Sequence, residues 1–353
     1  MTMTEPLPQA VLPEHLTDAL RRSGVLGVNT CVSEATVESS RATILSRIIR
    51  LRLRYDGLSE NAPPTVILKT GLPERAGGGW NAGRQEVAFY QQVAGAVAPP
   101  ATPRCFEAHW NPKSEAWHLL LEDLTDTHLI ATAWPLPPTV TQCQRIIEAR
   151  ARFQAVLWDD QRLGKSLGKW LDTEGYLQRF ADAFTRFADR FGEQVPAERR
   201  RIYEQLLAAA PHLFSRYLSR RHLTIVQGDA HVWNCFLARD DSADIRFFDW
   251  DAWRINIGAA DLSYMMAMHW YPERRARLEK TLLDRYHDAL IAGGVRDYHR
   301  ATLDDDYRLS VLWQITTPVW QAIFNIPPVI WWNNLERVFL AVDDLKCRDL
   351  LVA

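Results

Sequence analysis

Residues 222–262, HLTIVQGDAHVWNCFLARDDSADIRFFDWDAWRINIGAADL, decide the fold of this chain. Two short apolar runs, Leu223 to Val226 and Ile245 to Phe248, each lead into an acidic residue that an ordinary strand end would not select, Asp229 and Asp249. Between them lie His231, Asn234 and a polar turn from Asp240 to Asp244. The order is a strand, a loop carrying polar side chains, a hairpin and a second carboxylate. Singly, each Asp or Asn is as well suited to forming a turn as to chemistry. The ordered set is what points to chemistry.

That chemistry is phosphoryl transfer, in which one carboxylate orients an incoming hydroxyl while a second carboxylate and an amide oxygen hold magnesium on the phosphates. Asp229 fits the first role, and Asn234 with Asp249 the second. An Asp followed five residues later by Asn has the spacing of a kinase catalytic loop. QGDAHVWN, then FFDWD, Gly258 and AADLSYM, resembles the core of the aminoglycoside phosphotransferase and choline kinase superfamily, and EVAFY at 86–90 with EDL at 122–124 resembles its ecdysteroid-kinase-like branch. The resemblance implies an α+β, bilobal protein-kinase-like fold, with a small mixed α/β lobe built on an antiparallel sheet (residues 1–124) and a larger, mainly helical lobe (125–353). It implies ATP and Mg2+ as cofactors and a hydroxyl-bearing small molecule as acceptor. Relatives usually carry His where this chain has Gln227, and many carry one near Gln154. Asp261 is expected to cap the following helix and to bond back to the loop.

Composition allows this reading. A chain of 353 residues is long enough for two lobes, and a net charge of −2 offers nothing to a polyanionic partner, whether nucleic acid or membrane surface. Five cysteines without a CxxC pair suggest reduced thiols, not a disulfide frame or a cysteine zinc site. The first residues lack the pattern of a secretory signal, and no run reaches the roughly 18 apolar residues of a membrane span. A cytoplasmic enzyme is expected.

Outward from the core, PEHLTDALRRS (13–23) has the leucine spacing of a short helix ended by Gly24. Ile49, Leu51, Leu53 and Tyr55 alternate with Arg50, Arg52 and Arg54, the pattern of a half-buried strand with a solvated cationic face. No glycine-rich loop precedes it. The turn is expected near Glu38, Ser39 and Ser40, whose hydroxyls and amides would meet phosphate. Lys69 ends the apolar run TVIL, where a buried ammonium needs an anion. In the resembling family that anion is the ATP α/β-phosphates, with Glu86 on the next helix holding the lysine. Gly77 to Gly79 are expected to form a hinge between the two. The run AWHLLLEDL (116–124) is expected to end the small lobe, with backbone groups from Glu122 to Leu124 bonding adenine and the side chains of Glu122 and Asp123 equally able to cap the next segment.

Beyond residue 125 the periodicity predicts helices over 139–158, 174–192, 197–220, 272–293 and 297–325, an interruption at Pro327 and Pro328, and a last helix over 332–350, with arginines on outward faces. The acceptor would be met by Asp304 to Asp306 or by Trp313, Trp320, Trp331 and Trp332. Abundant aromatics favour an apolar or mixed alcohol over an aminoglycoside or choline. The rival is a nucleotide-binding pseudokinase acting through a protein partner. A protein kinase would need an APE-like segment after Asp249, which is absent.

Overall fold

The computed structural model describes residues 8–57, 61–72 and 82–352, so the expected hinge at Gly77 to Gly79 lies outside the described residues. The chain forms two compact units, Met1–Leu129 with Leu237–Asp251, and Ile130–Phe236 with Ala252–Ala353. This division differs from a single cut at residue 124, because 237–251 segregates with the N-terminal unit.

The first unit contains α1 (Pro13–Arg22), β1 (Cys31–Ala42), β2 (Ser46–Asp56), β3 (Thr65–Gly71), α2 (Ala82–Gln92), β4 (Cys105–Trp110), β5 (Trp117–Glu122) and β6 (His128–Ile130). The first five strands make an antiparallel sheet ordered β1-β2-β3-β5-β4. Alternation sorts its side chains by face. Leu16 and Leu20 of α1 join Ile49, Leu51, Leu53, Val66, Leu68 and Leu120 in one core, whereas Lys69, one residue on from Leu68, points the other way, toward α2.

The arginines of β2 are ion-paired rather than merely solvated. Arg50 meets Asp123 and Glu38, Arg52 meets Glu38, and Arg54 meets Glu34. The expected turn at Glu38 to Ser40 is corrected. Ser39 and Ser40 sit within β1, opposite Arg50 and Ile49, and the turn falls at Thr43 to Leu45. Thr43 fixes it there, since its hydroxyl donates to the Ser46 carbonyl and accepts the Ser46 N–H, each at 3.0 Å.

In the second unit follow α3 (Val140–Val156), α4 (Thr173–Phe191), α5 (Ala197–Leu218) and β7 (Thr224–Val226). The chain then runs through β8 (Cys235–Ala238) and β9 (Ile245–Phe247), which form a three-stranded sheet ordered β6-β8-β9. It continues into β10 (Arg254–Asn256), antiparallel to β7, and α6 (Ala259–Met266), α7 (Pro272–Ala292), α8 (Arg300–Gln314), α9 (Thr316–Ile323) and α10 (Pro328–Asp344). Thr139 and Gln142 close a capping box at the start of α3.

Two helix expectations change. The span 297–325 is two helices broken at Ile315, and Pro328 starts α10 at its first position, where a missing N–H costs nothing. Among the described tryptophans Trp250, Trp253, Trp270 and Trp331 are buried, Trp331 lying against Phe187 and Phe191, and the others are half-buried or exposed. The five cysteines are free thiols. Among the described residues no helix is long and apolar enough to cross a membrane.

Phe89 of α2 stacks on Trp250 with ring centroids 3.8 Å apart, and both are fully buried. Phe89→Ala is expected to lower unfolding free energy by about 3–5 kcal/mol, read from urea denaturation.

Candidate functional site

In the first unit the candidate residues converge on one ammonium. Lys69 Nζ lies 2.9 and 2.7 Å from the two oxygens of Glu86 and 2.7 Å from Oδ1 of Asp249. Glu86 also accepts from the Trp250 backbone. Burial on its own would lower the Lys69 pKa, but the carboxylates of Asp249 and Glu86 outweigh it and hold the group charged. Burial, together with the charge of Asp249, raises Glu86 against the opposing pull of Lys69. One ammonium thus faces two carboxylates.

Asp249 holds this place through backbone geometry. It follows β9 with φ +64, a left-handed conformation uncommon for a residue with a Cβ. The next residue anchors the turn: Trp250 donates its indole N–H to the Phe247 carbonyl at 3.1 Å and stacks on α2 through Phe89. The run FFDWD therefore fixes the Asp249 carboxylate and ties it to the helix that carries Glu86.

Glu122 and Leu124 stand at the end of β5. The Glu122 N–H donates to the Arg104 carbonyl, and its carboxylate accepts the Arg104 N–H at 3.0 Å. The Leu124 carbonyl closes a turn by accepting from the N–H groups of Thr127 and His128. Asp123 accepts from the Thr125 N–H and from Arg50, so it does cap the next segment.

In the second unit β7 delivers Gln227, Gly228 and Asp229. Gly228 has φ +85, and a Cβ there would come within 2.2 Å of the Ala252 carbonyl oxygen, so no other residue fits. Asn234, closing a 3-10 turn at Val232–Asn234, donates its amide to the Asp229 backbone carbonyl at 2.9 Å and to Asp229 Oδ2 at 3.0 Å. Its nitrogen is thereby committed, and its oxygen is the end that can ligate a cation. Tyr264 donates its hydroxyl to Asp229 Oδ1, and His231 Nε2 lies 3.4 Å from Oδ2.

Asp261 supports the loop from beneath. It is fully buried and accepts from the N–H groups of Gln227 and Gly228, both at 3.0 Å, from Arg150 at 2.8 Å and from Gln154 at 3.1 Å. It makes no side-chain cap to α6, so the capping role is corrected, while the bond back to the loop is present. Gln227 accepts from Arg150 at 3.1 Å, and Gln154 accepts from Tyr286 at 2.5 Å.

Two functional residues escaped sequence reading. Helical periodicity places Arg150 among the outward arginines, yet it is 1% exposed. Tyr264 lies three residues after Asp261, a spacing that shares a helix face and was the available signal.

The residues present fit a divalent cation and a nucleotide polyphosphate. In the first unit the observation is the pair of carboxylates on Lys69, and in the second it is the fixed amide orientation of Asn234. Of the expected site residues, the first unit brings together Lys69, Glu86 and Asp249, and the second brings together Asp229 and Asn234.

Two expected outcomes follow from these networks. Asp261→Ala strips Arg150 of its buried partner and is expected to cost about 3–5 kcal/mol in denaturant unfolding. His269 donates Nδ1–H to the Tyr264 carbonyl at 2.8 Å, and burial, reinforced by His231, pushes its pKa down to about 3 from 6.5. Its contribution to stability is complete above pH 6.5 and is lost as pH falls toward 3, because the unfolded imidazole then binds the proton first. His269→Asn is expected to flatten unfolding free energy against pH across that window, measured by denaturation at stepped pH.

Comparison with solved structures shows the fold. An ethanolamine kinase from Plasmodium vivax aligns at TM-score 0.59 and 9% identity, covering 97% of this chain and 91% of its own. A choline kinase from Cryptosporidium parvum gives TM-score 0.57 and 10% identity over 96% and 97%. An aminoglycoside phosphotransferase-like protein from Ralstonia eutropha gives 0.58 and 11% over 96% and 97%. No curated protein sequence matches the chain. The fold is the α+β, kinase-like fold of these proteins, with an antiparallel sheet in the N-terminal unit and helices dominating the C-terminal one. The family model described as ecdysteroid kinase-like matches residues 42–295, and the chain belongs to that family.

Proposed function

We propose that this protein is an ATP- and Mg2+-dependent phosphotransferase that moves the γ-phosphate to a hydroxyl group of an apolar or mixed small molecule. The observation that carries the proposal is the buried Lys69 ammonium shared between Glu86 and Asp249 in a member of a small-molecule kinase family. A lysine required only for packing would be balanced by one carboxylate. Here a second is added, and an ammonium between two carboxylates suits a metal–polyphosphate ligand.

Each residue has a distinct task. Lys69, held by Glu86, neutralises phosphate oxygens. Asn234 and Asp249 supply oxygen ligands, and bound magnesium adds charge stabilisation of the phosphates. Asp229, held through both carboxylate oxygens, orients the acceptor hydroxyl for in-line attack. Glu122 and Leu124 are proposed to meet adenine through backbone groups, and since the Leu124 carbonyl closes a turn, its N–H is the group left to do so.

For the acceptor, side-chain commitments favour an apolar wall. Asp306 is buried and bonded to Arg216 and Tyr298 and Asp304 pairs with Arg300, so of Asp304 to Asp306 these two are committed, while Asp305 is exposed. Tyr176, Trp313 and Trp320 remain half-buried and cluster with ring centroids 6.3 and 6.4 Å from Tyr176. Flat, partly exposed aromatics of this kind suit a bulky alcohol.

Transfer of labelled phosphate from Mg-ATP, across steroid alcohols, macrolides, sugars, choline and aminoglycosides, tests the proposal. Wild type is expected to label a steroid or macrolide class acceptor, with Asp229→Ala reducing the rate roughly 10²- to 10⁴-fold. Lys69→Met is expected to raise KM for ATP as well as lower kcat. Mg-ATP binding by calorimetry without transfer to any acceptor would instead mean a nucleotide-binding regulator.

A further inference from the structure

The first unit carries a second cluster of ligand-type side chains that phosphotransfer does not use. We propose that His15, Glu107 and His118 form a binding site for one zinc ion, joining α1 to the β4–β5 edge of the sheet. Two imidazoles from elements far apart in sequence present Nε2 to the same carboxylate oxygen, Glu107 Oε2, at 2.6 and 2.7 Å. All three candidate ligand atoms lie within 4.8 Å of one another.

The backbone explains why they meet. A register shift between Cys105 and Glu107 in β4 lets Phe106 join the core beneath α1 while Glu107, next in sequence, still reaches His15 on that helix. His118 lies two residues before Leu120 and so shares its face of the sheet. The cluster therefore caps the margin of the α1 core. Its side chains are 34%, 14% and 13% exposed for His15, Glu107 and His118, so an ion can enter from the His15 side.

The donor set selects the metal. Two imidazole nitrogens and one carboxylate oxygen, with a position left for water, are a zinc-type set, whereas magnesium and calcium take oxygen ligands. Arg22 holds the other carboxylate oxygen, Oε1, at 2.5 Å, leaving Oε2 to bind as a single donor. Four-coordinate zinc spaces its ligands about 3.3 Å apart, so Glu107 would retreat by roughly 0.6 Å. The proton each Nε2 now shares with the carboxylate moves to Nδ1 or to solvent when the metal takes its place. His109, directly across from His118 and stacked on it at 5.2 Å, fixes that ring's plane. The opposing possibility is that these residues form only an ion-pair network.

The test uses full-length protein stripped with chelator, then titrated with ZnCl2 in excess Mg2+ and desalted before metal analysis. Wild type is expected to retain about one zinc per chain, with affinity falling at least about tenfold in His118→Ala and in His15→Ala. His15 is partly exposed on a helix surface, so that variant keeps the test meaningful if His118→Ala fails to fold. Cobalt in place of zinc is expected to give the visible absorption of a four-coordinate site in wild type alone, and zinc is expected to raise the melting temperature of wild type but not of the variants. Equal zinc retention by wild type and both variants, or none by wild type, would overturn the assignment.

Discussion

The catalytic-type loop depends on one buried ion pair, Arg150 with Asp261. Neither charge reaches solvent, so each must be neutralised and hydrogen-bonded within the protein. Asp261 answers this with four donors, two of them the backbone N–H groups of Gln227 and Gly228. Backbone donors cannot be exchanged by rotating a side chain. The loop preceding Asp229 is therefore positioned by its own peptide groups, and α3, α6 and α7 contribute the supporting side chains.

Lys69 shows the opposite bookkeeping. Around Asp261 one negative charge meets one positive charge, and the pair is closed. Around Lys69 the carboxylates of Glu86 and Asp249 share one ammonium, Glu86 buried and Asp249 38% exposed. The left-handed Asp249 and the stacked Trp250 hold this arrangement in place.

Much of this was legible before any coordinates. Lys69 and Glu86 were recognisable because an ionisable residue at the end of an apolar strand needs a partner, and the next helix offered one. Order and spacing single out Asp229, Asn234 and Asp249, and the structure bonds Asn234 to Asp229 and Asp249 to Lys69. The turn between β1 and β2 was not legible, because both Ser39–Ser40 and Thr43–Ser46 have turn chemistry, and sheet register decides between them. Arg150 was hidden for a related reason. Helical periodicity assigns an arginine outward by default, and only the distant Asp261 makes burial favourable. The division into units was hidden too, since 237–251 joins its unit through tertiary pairing that linear sequence does not display.

Tyr264 marks the step from scaffold to chemistry. A carboxylate with one hydrogen-bonded oxygen can turn about its Cα–Cβ and Cβ–Cγ bonds. One bonded at both oxygens, by Tyr264 on Oδ1 and Asn234 on Oδ2, has a single orientation. Tyr264 sits on the same helix as Asp261, three residues on, so α6 supports the loop through one residue and sets the carboxylate through the next on its face. A loose phosphoryl transition state asks little proton removal of its base and much alignment of its nucleophile. Fixing the direction of Asp229 is the contribution that such a reaction can use, and it is the one that this helix makes.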